Sequence, residues 1–341
     1  MKPRRLLRAV LGLVAFALVT TGCASKDAPL DWLRPAGPIA RDIGNLWTVV
    51  FYAAAAVFFL VEGAIVFALV RFRHRKGDTT MPKQTHGNTR LEVAWTIIPA
   101  LLLAALAVPT LSGIIALAKE RPGALRVDVT AQQWWWKYEY PEQKVVTANE
   151  LHIPTGRPIR LYLHSADIIH SYWVPALAGK QDVVPQRTNR LTIQADRPGE
   201  YHGTCVEFCG LSHANMRLIV YAHTPQDFER WASQQAADAL VPSGGLAAKG
   251  KAVLESKQCV SCHTIRGSEK VTGTTAPDLT HFASRWGFAG DIFPRSDENL
   301  RKWLADAPAR KPGSKMPAGI AQMGLTNDDI TALIAYLQSL K

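Results

Sequence analysis

A multidomain membrane protein is the fold class the sequence predicts: a two-helix transmembrane hairpin, then an all-β sandwich, then an all-α domain. Three observations predict it. Two apolar runs are each long enough to cross a bilayer, period-two alternation fills the middle of the chain, and helical periodicity returns at its end. The 341 residues suit two or three domains rather than one.

Residues 1–23 place Lys2, Arg4, Arg5 and Arg8 before an apolar stretch from Ala9 to Val19 and small residues up to Cys23, the layout of a secretory signal. Thr20-Thr21-Gly22-Cys23 resembles a bacterial lipoprotein processing site, at which Cys23 would be acylated. Thr20 stands where leucine is usual, and an ordinary exported cysteine is the alternative. Residues 24–120 form the hairpin, with helices at about 46–70 and 93–118. Each exceeds the roughly 20 residues that a helix rising ~1.5 Å per residue needs to span ~30 Å of hydrocarbon. Between them, Arg71, Arg73, Arg75, Lys76, Lys83 and Arg90 are opposed only by Asp78. Such a loop stays cytoplasmic, which puts everything after Lys119 outside. Glu62 lies within the first run. An intramembrane carboxylate costs ~2.5–3.5 kcal/mol on insertion scales, so Glu62 is expected to face protein, at a partner subunit or in a buried neutral form.

Residues 121–240 carry short alternating runs: Leu125-Arg126-Val127-Asp128-Val129, Ile159 to Leu163, Arg190 to Ile193, and Arg217 to Tyr221. Broken by Pro and Gly, they predict an antiparallel sandwich. Pro242-Ser243-Gly244-Gly245 marks a linker at 241–245. Residues 246–341 read as helices and loops. The last helix starts at Thr326, which forms a capping box with Asp329, and buries Ile330, Leu333, Ile334 and Leu337. The formal charge of +11 is uneven: residues 1–120 hold 14 Lys and Arg against 7 Asp and Glu, while 121–240 hold 12 of each. The excess at the membrane end is a topology signal. Without a basic, aromatic-laced groove, nucleic-acid binding is excluded.

Cys259-Val260-Ser261-Cys262-His263 is the attachment sequence of a c-type haem. Two thiols three apart can form thioethers to the haem vinyl groups, and His263 can ligate the iron. A second axial ligand must come from further along, and a thioether would raise the potential. Met316, in Lys315-Met316-Pro317, is preferred over Met323, which precedes the final helix and reads as packing. Pro277 resembles the proline that backs the proximal histidine of small c-type cytochromes.

Cys205 to Met216 packs two thiolates, an imidazole and a thioether into twelve residues, and His170 lies upstream in Asp167-Ile168-Ile169-His170-Ser171. Soft sulfur with imidazole selects copper or zinc, and a long thioether contact favours a copper electron-transfer site. A second Cys allows two coppers to be bridged and to share one electron, which keeps the geometry change on reduction small. A Cys205–Cys209 disulfide or a zinc site needs neither Met216 nor Glu207. His152, His164, His202 and His223 stand outside this spacing and are expected at the surface or in loops.

Asp167 to Ser171 and Cys205 to Met216, with the hairpin, resemble subunit II of haem-copper cytochrome c oxidases. The appended haem domain resembles the bacterial branch (caa-type) in which cytochrome c is fused to that subunit. The resemblance implies a cupredoxin-like sandwich and a class I cytochrome c domain. It implies His170, Cys205, Cys209, His213, Met216 and the Glu207 carbonyl as ligands of a dinuclear copper centre. The Glu207 side chain would reach a Mg or Mn ion at the junction with the catalytic subunit. Trp134, in the aromatic stretch Gln133 to Tyr140, matches the indole through which electrons reach the copper; Trp135 and Trp136 read as core. Glu92 matches the carboxylate at a proton-channel mouth, and its helix-start position equally suits a dipole-favoured acid. Two departures are visible: Gln186 where the family often has glycine, and Trp135 where tyrosine is common.

The expected function is therefore electron input to a proton-pumping oxidase in the bacterial inner membrane, with the C-terminal domains on the outer face. Electrons would come from a cytochrome or other donor, and a separate catalytic subunit would reduce O₂, because the two helices contain no histidine. A copper-containing nitric oxide reductase, a membrane-tethered electron shuttle and a copper-free quinol-oxidising subunit are the alternatives, the last opposed by the intact ligand set.

Overall fold

A computed structural model describes residues 12–13, 28–74, 77, 81, 84, 86–240, 242 and 244–341. Apart from Gly12 and Leu13, the expected signal with Cys23 lies outside the described residues, as do Arg75, Lys76, Asp78 and Lys83 of the loop and Ser243 of the linker.

Two long helices come first, α1 (Pro38–Arg71) and α2 (Thr89–Ala118), both long and apolar enough to cross a membrane. Each starts ahead of its apolar run. Pro38 suits a first helical turn because its φ is preset and its missing N–H is not needed there. The added turns of α1 rest on the sandwich: Ile39 and Ala40 are buried, and Arg41 pairs with Asp196. Packing rather than hydropathy sets that start. In α2, the Asn88 side chain accepts from the N–H groups of Arg90 and Leu91, which fixes the first turn upstream of the apolar stretch. Glu62 is exposed on α1, so the chain's own hairpin does not cover it.

The sandwich consists of two five-stranded sheets, ordered β3-β2-β1-β5-β8 and β4-β10-β9-β6-β7. The strands are β1 (Leu125–Gln132), β2 (Trp135–Tyr140), β3 (Val145–Ala148), β4 (Glu150–Pro154), β5 (Ile159–Ser165), β6 (His170–Trp173), β7 (Gln181–Val183), β8 (Asn189–Ile193), β9 (Gly199–Cys205) and β10 (Arg217–His223). Leu125, Val127, Val129 and Ala131 point inward and are fully buried, as the alternation predicts. The sandwich is not wholly antiparallel: β1 runs parallel to β5 and β4 parallel to β10. Alternation reports which face of a strand is buried, while chain direction depends on how the connections cross between sheets.

The four histidines set aside earlier lie on strands rather than in loops, which corrects that expectation. His152 and His223 hydrogen-bond through ring nitrogens 2.8 Å apart, and the His152 ring stacks on Trp231 of α3 (Pro225–Ala236) at 4.2 Å and on Tyr221 at 5.1 Å. Burial lowers the pKa of His152 and takes that of His223 down to about 4, so both are neutral, half-buried residues packed at the edge of the core. Gln186 has φ of 60°, the left-handed region that glycine enters without strain.

The C-terminal domain is helical: α4 (Gly245–Ser256), α5 (Asp297–Ala305), α6 (Ala307–Arg310) and α7 (Asn327–Ser339), with a small hairpin of β11 (Gly287–Phe288) and β12 (Phe293–Pro294). The Thr326–Asp329 capping box is present, and Ile330, Leu333, Ile334 and Leu337 are buried. Helices α4 and α7 cross closely at Gly250, where a Cβ would lie 1.9 Å from the Ala332 carbonyl oxygen.

Candidate functional site

Strand pairing assembles the sulfur and imidazole donors. β9 ends at Cys205, β10 starts one residue after Met216, and the antiparallel β9–β10 ladder closes the loop between them. Cys205 N–H donates to the Met216 carbonyl at 3.0 Å. β6 begins at His170 and pairs with β9 through Tyr172 opposite Cys205, which carries the upstream histidine to the loop.

Cys205 Sγ lies 3.8 Å from Cys209 Sγ and 3.9 Å from His170 Nδ1. Cys209 Sγ lies 3.4 Å from His213 Nδ1 and 3.9 Å from Met216 Sδ. The Glu207 carbonyl oxygen is 3.3 Å from Cys205 Sγ, and the Glu207 residue is exposed at the loop tip beside Phe208 and Leu211. The ligand atoms of His170, Cys205 and Cys209, all buried, fall within 4.8 Å of one another. Both thiols are free. Asp167 Oδ1 holds His170 Nε2 at 2.8 Å, which leaves Nδ1 for the sulfur side. Contact with Cys209 draws the Cys205 thiol's pKa well down, against the effect of burial, while the same contact together with burial holds Cys209 up. A bound cation would let both ionise. This donor set fits copper.

The second site is a cavity of about 710 Å³ in the helical domain, lined by Cys259, Cys262, His263, Met316 and Met323. His263 Nδ1 bonds the Pro277 carbonyl at 2.7 Å, which fixes the tautomer and leaves Nε2 free to ligate. Arg285 lines the same cavity, and its Nε is buried without an acceptor. An orphaned guanidinium N–H in an apolar cavity suits the carboxylates that a haem carries, so these residues fit the group. Both candidate methionines face the cavity.

The two sites share a wall. Gln132, Gln133, Trp134 and Trp135 of the sandwich also line the cavity. Trp134 is 6% exposed, and its Nε1–H donates to the Cys209 carbonyl at 2.8 Å. Gln133 Nε2 donates to the same oxygen at 2.9 Å. From the other side Gly313 approaches the indole, where a Cβ would lie 2.5 Å from its Cη2. Trp136 is fully buried in the sandwich core, edge-on to Tyr172 at 5.0 Å, whereas Trp135 is half-buried and reaches the cavity. Further bonds seal the domains together: Glu150 Oε1 accepts from Trp286 N–H at 2.6 Å and Gly287 N–H at 3.1 Å, and Ser212 Oγ donates to the Pro312 carbonyl at 2.6 Å. Glu92 is brought to neither site. It lies in the first turn of α2, while the far end of that helix meets the sandwich, where the Ala118 carbonyl accepts from Arg160.

Three family descriptions match this chain: the transmembrane domain of cytochrome c oxidase subunit II over residues 29–112, its periplasmic domain over 143–223, and cytochrome c over 247–341. A cytochrome c oxidase subunit 2 of Alkalihalophilus pseudofirmus is 37% identical over 97% of this chain and 96% of its own length. The chain belongs to the cytochrome c oxidase subunit II family. The subunit 2 of Bacillus subtilis is 34% identical, covering 98% of both chains. The solved periplasmic domain of subunit II from Bradyrhizobium japonicum is 28% identical over 34% of this chain and 95% of that chain, with a TM-score of 0.33. A subunit II with a cytochrome c domain is an electron-input component of an oxidoreductase complex and pairs with other oxidase subunits. Its family domains imply a dinuclear copper and a haem c.

Sequence reasoning missed Lys311, Arg285 and Glu150, which line or seal the shared wall. No local pattern marks them: Glu150 and Lys311 have partners in the other domain, and Arg285 is a single charge whose role depends on the cavity around it.

Proposed function

We propose that this subunit delivers electrons from a fused cytochrome to a dinuclear copper, and from there to a catalytic subunit that reduces O₂ to water and pumps protons. Cys259 and Cys262 would bind haem c covalently, with His263 and Met316 as axial ligands. His170, Cys205, the Glu207 carbonyl, Cys209, His213 and Met216 would hold the copper pair. When bound, these groups each accept and release single electrons.

The observation that carries the reading is Trp134: one indole forms part of the cavity wall and donates to the carbonyl of Cys209. The chain keeps that junction dry, since Trp134, Cys205 and Cys209 are nearly or fully buried. Burial lowers the polarity around the route and limits solvent reorganisation when charge moves. Asp167 and Pro277 each orient a ligand histidine. The exposed Glu207 side chain would hold Mg or Mn against the catalytic subunit, and Glu92 would stand at a proton-channel mouth. The inner membrane is the proposed location, with two spans and the soluble domains outside, and Cys23 is the proposed acylation site.

Metal and haem analysis with visible and near-infrared spectra of the purified complex tests this, alongside gas consumption. Two coppers and one haem c per chain, with O₂ uptake, are expected. Absence of copper, or NO reduction without O₂ reduction, would overturn the reading.

A further inference from the structure

Lys311 stands where the two soluble domains meet. It follows α6, is 4% exposed, and its Nζ donates to the carbonyls of Trp134 and Ala289, each at 2.6 Å. Among the described residues no carboxylate pairs with it. Burial lowers its pKa to about 7, and the neighbouring Cys209 acts the other way. An ammonium buried on carbonyls alone is costly, and an apolar side chain of equal length would fill the space without that penalty.

Its two acceptors are informative. One belongs to Trp134, whose indole bonds the Cys209 carbonyl. The other belongs to the hairpin joining β11 and β12, which is wedged against the copper loop: Arg217 N–H donates to the Gly290 carbonyl at 3.1 Å, and a Cβ at Gly290 would lie 2.5 Å from the Asn215 carbonyl oxygen. Lys311 itself lines the cavity and leads into the segment that carries Met316. A single side chain therefore ties together the Trp134 backbone, the wedge and the cavity wall, between both candidate redox sites. In its ammonium form, which predominates below about pH 7, the side chain favours the electron-holding state of any centre near it.

We propose that Lys311 is a positioning residue for haem-to-copper electron transfer, pinning Trp134 between the cavity and Cys209, and in its ammonium form raising the reduction potential on both sides. The inference rests on the function proposed above. The step it serves is a one-electron exchange, haem oxidised and copper reduced, with no bond made or broken and no proton carried. Electron tunnelling falls off exponentially with the gap, so a loosened indole matters even when both cofactors are in place.

The test uses the assembled complex with Lys311→Met, Lys311→Gln and Lys311→Arg. Photoinduced electron injection reads the haem-to-copper rate, and redox titration followed optically at about pH 6, where Lys311 is charged, reads both midpoint potentials. In the Met and Gln variants the rate is expected to fall roughly ten- to a hundredfold, both potentials to drop, and haem and copper contents to stay at wild-type levels. Lys311→Arg is expected to restore the potentials. An unchanged rate or unshifted potentials in Lys311→Met overturns the proposal. Loss of both cofactors from the Met and Gln variants alike also overturns it, by making Lys311 a folding residue. Failure of the underlying reading looks different: the wild-type complex would then show no haem oxidation coupled to copper reduction.

Discussion

The copper loop and the haem cavity are built on opposite plans. The copper donors are already gathered, with neighbouring ligand atoms 3.4–3.9 Å apart, because the β9–β10 ladder closes one short loop and β6 delivers His170 to it. The proposed haem ligands come from residues 259–263 and from the 311–323 region, which line an apolar cavity of about 710 Å³. A strand-closed loop costs little extra order to hold a small ion. A cavity of that size needs its occupant for packing, since unfilled apolar space destabilises a fold. Copper loading should therefore be a local event, and haem attachment a condition for the helical domain's stability.

The largest expected effect breaks the pair apart. Cys209→Ser should abolish the near-infrared copper band and O₂ uptake while the haem c spectrum persists; loss of the haem as well would mean that the sites are not independent. Asp167→Asn is the gentler version. Removing the charged partner of His170 should weaken copper affinity by ~10–100-fold, read by chelator competition, with no change in the haem spectrum.

The interface between the two sites supplies a pH-dependent comparison. Asp291, on the wedge hairpin, is 7% exposed with both carboxylate oxygens unpartnered. Burial, with Glu150 and Glu200 of the sandwich adding to it and Arg217 opposing, raises its pKa to about 7. A folded pKa above the unfolded value of ~3.9 means that its stabilising contribution is whole below that value and is lost as pH rises through about 7. The thermal midpoint of the haem domain in the complex should therefore fall between pH 5 and pH 8. Asp291→Asn should flatten that dependence and recover roughly 1–2 kcal/mol at pH 8.

The smallest effect concerns docking. The sandwich carries 12 basic and 12 acidic residues, and its junction with the haem domain is sealed by Glu150, Ser212 and Lys311. Haem-to-copper transfer should change little with ionic strength, because a tethered, sealed donor does not rely on long-range steering. A steep slowing with salt in stopped-flow traces would show that the domains separate between turnovers.

Much of this was legible in the chain itself. The apolar runs, the alternation in the middle and the Thr326–Asp329 cap named each domain's class, because burial period and capping chemistry are local. The cysteine, histidine and methionine spacings pointed to both candidate donor sets for the same reason. Tertiary structure decided the rest. It extended α1 to Pro38 by docking Ile39 and Arg41 on the sandwich, and it made β1–β5 and β4–β10 parallel. It stacked His152 and His223 against each other and Trp231, and it placed Trp134 between the haem cavity and the Cys209 carbonyl under Lys311. The physical reason is common to all four: a buried contact between distant segments depends on how the domains fold onto one another, and neither composition nor spacing records that.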